Sequence, residues 1–177
     1  VIKRLRFLPA PVDPSPSAVR ATVSEVLGPA PWRWVLTEWF EADPPPVDGD
    51  VVVAEEVVLR GADWLEARWS AGGGRYKHLA LAVRAPGLSP EAFSTRWRAH
   101  AGTAGGTPIP DEAKGRAYAQ NHPRPPGAWP YDAVNEVWFD DLAGLRARIA
   151  WFADNGVGQP DDLFGATTFL AVIERVL

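Results

Sequence analysis

The chain holds three histidines, at positions 78, 100 and 122. An imidazole titrates near neutral pH and exchanges protons without large tuning. Two of the three sit among groups that could share its work. In AYAQNH, period 2 sets Tyr118, Gln120 and His122 on one face and Ala117, Ala119 and Asn121 on the other. In FSTRWRAHA, helical spacing puts Phe93, Trp97, His100 and Ala101 on one face, so His100 points inward with two large aromatics. These patterns suit proton-transfer chemistry. His100 is the acid/base, Tyr118 holds a developing enolate or phenolate oxygen, and His122 is a second acid/base. In YDAVNEVWF, Asp132, Val134, Glu136 and Trp138 share a side. If that side faces a cavity, Asp132 is the carboxylate that orients a histidine. Trp97, Gln120, Glu136 and Trp138 then stand as substrate-binding residues.

Each assignment has a plain structural alternative. His100 can be a core or helix-end histidine satisfied by a backbone carbonyl. His122 can end its strand in solvent, Asp132 can pair with an arginine, and His78 reads as a strand-end surface residue. No H-x-x-x-H clamp supports a metal, and a site from His100, His122 and Asp132 has no support in spacing. SAGGGRY has no following helix and no phosphate-loop lysine, so it reads as a hinge. No dinucleotide fingerprint is present. The expectation is therefore a cofactor-free protein without a metal.

Composition narrows the class. Hydrophobic residues make 46% and charged residues 23% of 177, as in a globular domain. The net charge of -4 without a basic run speaks against nucleic acid as a partner. No run of eighteen apolar residues predicts a membrane span, and no signal-peptide pattern opens the chain. Zero cysteine removes disulfides and thiolate metal sites, and a cytoplasmic location fits. Nine tryptophans offer large apolar walls for a flat small-molecule ligand.

The elements that must position these residues read most clearly in the second half. Tyr76 to Arg84 alternates as a strand, with Leu79, Leu81 and Val83 opposite His78, Ala80 and Ala82. Ser89, Pro90 and Glu91 start a helix. Gly115 to His122 is a strand, its alanine face suited to close helix packing and its other face to a barrel floor. YDAVNEVWFDD is the next strand. Asp140 or Asp141 then caps a helix with Leu142, Leu145, Ile149 and Phe152 on one face, and ATTFLAVIERVL is the last strand. The order β-α-β-β-α-β is ferredoxin-like. The first half echoes it incompletely. IKRLRFLPA reads as a strand, Ser15 to Leu27 as a helix, RWVLTEWFEA and VVVAEEVVL as strands and ADWLEARWSA as a short helix, with no fourth strand. The fold expected is α+β: two ferredoxin-like halves, residues 1–73 (a degenerate copy) and 74–177, closing face to face into an intramolecular α/β barrel. A homodimer of the fused barrel is a further expectation.

LSPEAFSTRWRAHAG, then RAYAQNHP, YDAVNEVWFDDL, the DDLFG loop and FLAVIERVL together resemble the EthD family of the dimeric α/β-barrel superfamily. The resemblance implies a cavity between sheet and helices and favours the WRAH histidine, His100. Relatives belong to ether-degradation operons and to polyketide pathways, where they act as cyclases, decarboxylases or dehydratases. It thus implies a lyase-type or cyclase-type enzyme of secondary or catabolic metabolism, acting on an aromatic or polyketide-like substrate. Two other readings stay open: an oxygenase or haem-binding protein on the same fold, and a non-catalytic ligand-binding accessory protein.

Overall fold

A computed structural model describes residues 1–72, 74–99, 103–104, 106–125 and 129–177. Eight antiparallel strands close into one barrel in an α+β fold. The first half supplies β1 (Ile2–Leu8), β2 (Arg20–Leu27), β3 (Trp34–Phe40), β4 (Asp50–Arg60) and helix α1 (Ala62–Ala71). The second supplies β5 (Gly74–Arg84), α2 (Pro90–Arg98), the short pair β6 (Thr103–Ala104) and β7 (Thr107–Pro108), and α3 (Asp111–Lys114). It continues with β8 (Ala117–Pro123), β9 (Ala133–Phe139), α4 (Leu142–Asp154) and β10 (Phe164–Val176). Around the barrel the order is β1-β3-β2-β10-β5-β9-β8-β4. The first half therefore runs β4-β1-β3-β2 and the second β10-β5-β9-β8, joined at two seams, β2 with β10 and β4 with β8.

One expected element is wrong in kind. Residues 20–27 form strand β2, not the end of a helix. Thr22, Val23 and Val26 are β-branched and fit a pleated strand better than a helix. This supplies the fourth strand that the sequence pattern lacked. The first half has no helix between β1 and β2 or between β3 and β4. Proline-rich segments lie there instead, and hydrogen bonds tie them to the strands. Ser15 N–H donates to Glu38 Oε1 at 2.7 Å, and Arg4 Nη1 donates to the Pro45 carbonyl at 2.6 Å. Arg4 also pairs with Glu38 at 2.7 Å, both buried.

The helix starts behave as their residues dictate. The Ser89 side chain accepts from Ala92 N–H, with Pro90 at the first helical position. Asp141 accepts from Gly144 N–H. The face of α4 differs from expectation. Leu145, Arg148 and Phe152 turn inward, while Ile149 is exposed.

Side chains fill the barrel. Leu5, Phe7, Val35, Val52, Leu79, Leu81, Val134, Leu170 and Val172 form its apolar core. Towards the α1 end the filling becomes charged. Lys3 binds Glu56 at 2.7 Å and Glu136. Lys77 binds Glu136 at 2.8 Å and Glu174, and Arg68 of α1 binds Glu174 at 2.8 Å. Buried charges of one sign thus meet buried charges of the other, the condition under which an interior tolerates them.

Candidate functional site

The cavity lies outside the barrel, between the outer face of the second half's sheet and its helices. Its volume is about 170 Å³. Ala80 and Ala82 of β5 form a low floor, and Asn135 and Val137 of β9 continue it. Trp97 of α2 and Arg148 and Phe152 of α4 stand over it, and the loop after α4 edges it. Small residues on the sheet leave room that the helices do not fill. Register places Arg60, Tyr118, Val137 and His78 in one row across β4, β8, β9 and β5.

Tyr118 lines this cavity and is the centre of its polar wall. Its hydroxyl donates to Asn135 Oδ1 at 3.1 Å and accepts from Gln120 Nε2 at 3.0 Å. The same Nε2 reaches the Trp97 carbonyl at 3.4 Å, which fixes the amide's orientation. Gln120 Oε1 then faces His122 Nε2 at 3.2 Å, so that nitrogen carries the proton. The chain of hydrogen bonds runs one way: His122 to Gln120, to Tyr118, to Asn135. Burial pushes the Tyr118 phenol up from its ordinary value, against the opposing pull of Gln120, Arg148 and Arg60. Tyr118 is accordingly a proton-bearing donor at neutral pH, suited to holding an oxyanion and unsuited to being a base.

His122 sits behind Tyr118 and does not line the cavity; it is buried, with its ring 4.5 Å from that of Trp97. It is therefore not the exposed strand end of the alternative reading. Burial, helped by Arg98, pushes it down to about 4, so it is neutral at pH 7. That geometry orients Gln120 and does not contact a ligand in the cavity. Gln120 likewise supports Tyr118 from behind rather than lining the wall. Trp97 does line it. His100 lies outside the described residues.

The face of β9 was assigned the wrong way round. Val134, Glu136 and Trp138 point into the barrel, where Glu136 binds Lys3 and Lys77 and Trp138 Nε1 donates to Glu174 at 3.1 Å. Neither Glu136 nor Trp138 reaches the cavity across the sheet. Asp132 is engaged by Arg84, through the guanidinium and through backbone N–H at 2.9 Å, not by a histidine. On β8, Asn121 lies opposite Tyr118 but turns into the barrel, where the Tyr118 face was expected, and donates to Glu136 at 3.0 Å. Its neighbours Ala117 and Ala119 allow α1 to approach through Leu65. The Tyr118 face is thus the wall of an outer cavity and not the floor of the barrel. Among the nine tryptophans only Trp97 borders the cavity in the described residues.

Three contributors escaped the sequence pattern: Asn135, Arg148 and Arg60. Asn135 lay on the face taken as the other side. Arg148 lies three residues after Leu145 and four before Phe152, on their stripe. It is 6% exposed. Its Nε donates to His78 Nδ1 at 3.2 Å and its Nη1 to the Ala113 carbonyl at 2.9 Å. His78 is not a surface residue either. It is buried under α4, stacked on Phe169 and edged by Phe152, and burial together with Arg148 keeps it neutral, well below its ordinary value.

A closed α+β barrel with a helix-roofed cavity on its second half defines the class of protein. Residues 85–153, in the C-terminal half, match the EthD domain family. That segment contains Trp97, Tyr118, Gln120, His122, Asn135 and Arg148. No curated protein and no solved structure matches the chain significantly.

Proposed function

We propose that this protein is a small-molecule enzyme that moves protons on a flat, largely apolar, oxygen-bearing substrate held in the outer cavity. Cyclisation, dehydration and decarboxylation are the reactions such a site serves, because each passes through an enolate-like or phenolate-like oxygen. One observation carries the reading. The Tyr118 hydroxyl is held at the cavity wall by a donor on one side and an acceptor on the other. A substrate oxygen replacing Asn135 as acceptor would take that proton in a hydrogen bond that strengthens as negative charge develops. His100, within the EthD match, is proposed as the acid/base. Asp132 is left out of the mechanism because Arg84 occupies it.

The shared strand order of the two runs supports a second part of the proposal. Residues 1–73 and 74–177 are tandem ferredoxin-like halves, the first having exchanged its crossover helices for proline-rich segments.

The test is turnover on a panel of hydroxylated aromatics and 1,3-diketones, followed by absorbance. His100→Ala is expected to lower kcat by about 10²–10⁴. Tyr118→Phe is expected to lower it by about 10²–10³, the loss of one oxyanion donor. Unchanged turnover in folded His100→Ala and Tyr118→Phe variants would overturn the roles.

A further inference from the structure

The charges around the cavity do not balance. Arg148 is nearly fully buried, yet among the described residues its partners are neutral: the His78 imidazole, the Ala113 carbonyl and the face of Phe152, 4.2 Å away. Its Nη2 makes no hydrogen bond among them. Arg60, on the β4 edge of the same cavity, donates to the carbonyls of Lys114 and Gly115 and likewise forms no ion pair there. Lys114 also borders the cavity, its ammonium paired with the exposed Asp111. Asp161 is the acid on the lining, and its Oδ1 is spent on Leu163 and Phe164 N–H. The barrel interior of this protein matches buried cations with carboxylates. Here the matching carboxylate is missing, and a buried cation without one is costly.

We propose that the cavity binds ligands through a carboxylate seated on Arg148, with Arg60 adding to the positive field. The free edge of a guanidinium suits a planar carboxylate. Ala80, Ala82, Val137, Trp97 and Phe169 give the cavity an apolar side beside the polar wall of Tyr118 and Asn135, so the body behind the carboxylate is an aromatic or similarly flat ring. His78 is the positioning residue. As a neutral acceptor it aims the Arg148 guanidinium without cancelling its charge. Burial pushes Arg148 down to about 10, which leaves it a cation at neutral pH. The inference rests on reading this cavity as the substrate site, but it is measured by binding and does not require turnover.

The probes are 2-naphthoate and 2-naphthalenemethanol, titrated against the whole chain with Trp97-containing fluorescence and calorimetry as readouts. The carboxylate is expected to bind at least about 10-fold tighter than the alcohol, the scale of one charge-assisted hydrogen bond. Arg148→Met, which keeps the side-chain length, should remove about 10–100-fold of naphthoate affinity and leave the alcohol unchanged. Arg60→Met should weaken naphthoate less. Equal affinity of the two probes for the unaltered protein, or binding of neither, overturns the proposal; so does undiminished naphthoate affinity in folded Arg148→Met. Turnover without carboxylate preference would sink this inference and spare the enzyme reading. Carboxylate binding without any turnover would do the reverse.

Discussion

Glu136 shows how one side chain can be essential to this protein without touching its cavity. Burial pushes its carboxyl up, and Lys3 and Lys77 more than reverse this, holding it at about 2. Lys3 is lowered by burial and raised by Glu136 and Glu56, to about 12. Glu136→Gln would leave both ammonium groups buried with less compensation. A loss of about 3–5 kcal/mol of stability is expected, read from urea unfolding; a loss under about 1 kcal/mol would show the network to be dispensable. The pH dependence follows from the directions. Glu136 is depressed below its ordinary 4.5, so its contribution is present above that pH and is lost as pH falls towards 2. Lys3 is raised, so its contribution is present below 10.5 and lost as pH rises through 12. His122 is depressed from 6.5 to about 4, so stability should begin to fall between those values on acidification. His78 is depressed below 6.5 as well, so in His122→Gln that first acid step should shrink without vanishing, while the Glu136 step at lower pH persists. An undiminished first step would remove His122 from the account.

At the scale of elements, short motifs were legible and faces were not. The Ser89 and Asp141 caps could be read because a cap is a local bond between near neighbours. So could the extent of α1 and, to within two residues at each end, that of β5, β8 and β9, where residue type and period agree. β2 differs from its sequence pattern because Ser15 and Pro16 resemble a helix start, while the β-branched Thr22, Val23 and Val26 pair as a strand. Gly61 is a local requirement that only packing exposes. It sits at φ 75° before α1, and a Cβ there would collide with the Arg116 carbonyl and approach Ala117 at 2.8 Å. Gly61→Ala should cost at least about 1–3 kcal/mol through backbone strain alone. An unchanged unfolding midpoint would mean that α1 shifts freely against β8. On α4, Arg148 occupies a helical position that pattern reading gives to leucine. A cation on a buried stripe departs from the usual pattern, and here it borders the cavity.

For the whole molecule, closure is what makes the two halves depend on each other. β2 pairs with β10 and β4 with β8, so separating residues 1–73 from 74–177 opens both seams. It also strips Lys3 from Glu136 and Arg68 from Glu174. Neither fragment is expected to persist as a folded monomer, whereas the two co-expressed should associate and unfold as one. Size-exclusion chromatography with circular dichroism checks this; a stable, folded, monomeric 74–177 fragment would refute it. No helix among the described residues is long and apolar enough to cross a membrane.

Sequence alone determined which residues travel together: Tyr118 with Gln120 and His122, Glu136 with Trp138, Phe93 with Trp97. Period 2 and period 3.6 are properties of the backbone, and need no partner to be read. It also carried enough of the second half's order to resemble the EthD family. It did not determine which way each set faces. The strands of the second half are covered on both sides, by the barrel core within and by helices without, so polarity does not label the inside. Only closure of the barrel decided that Glu136 serves the interior and Asn135 the cavity, and only the docking of α4 brought Arg148 to the same cavity as Tyr118.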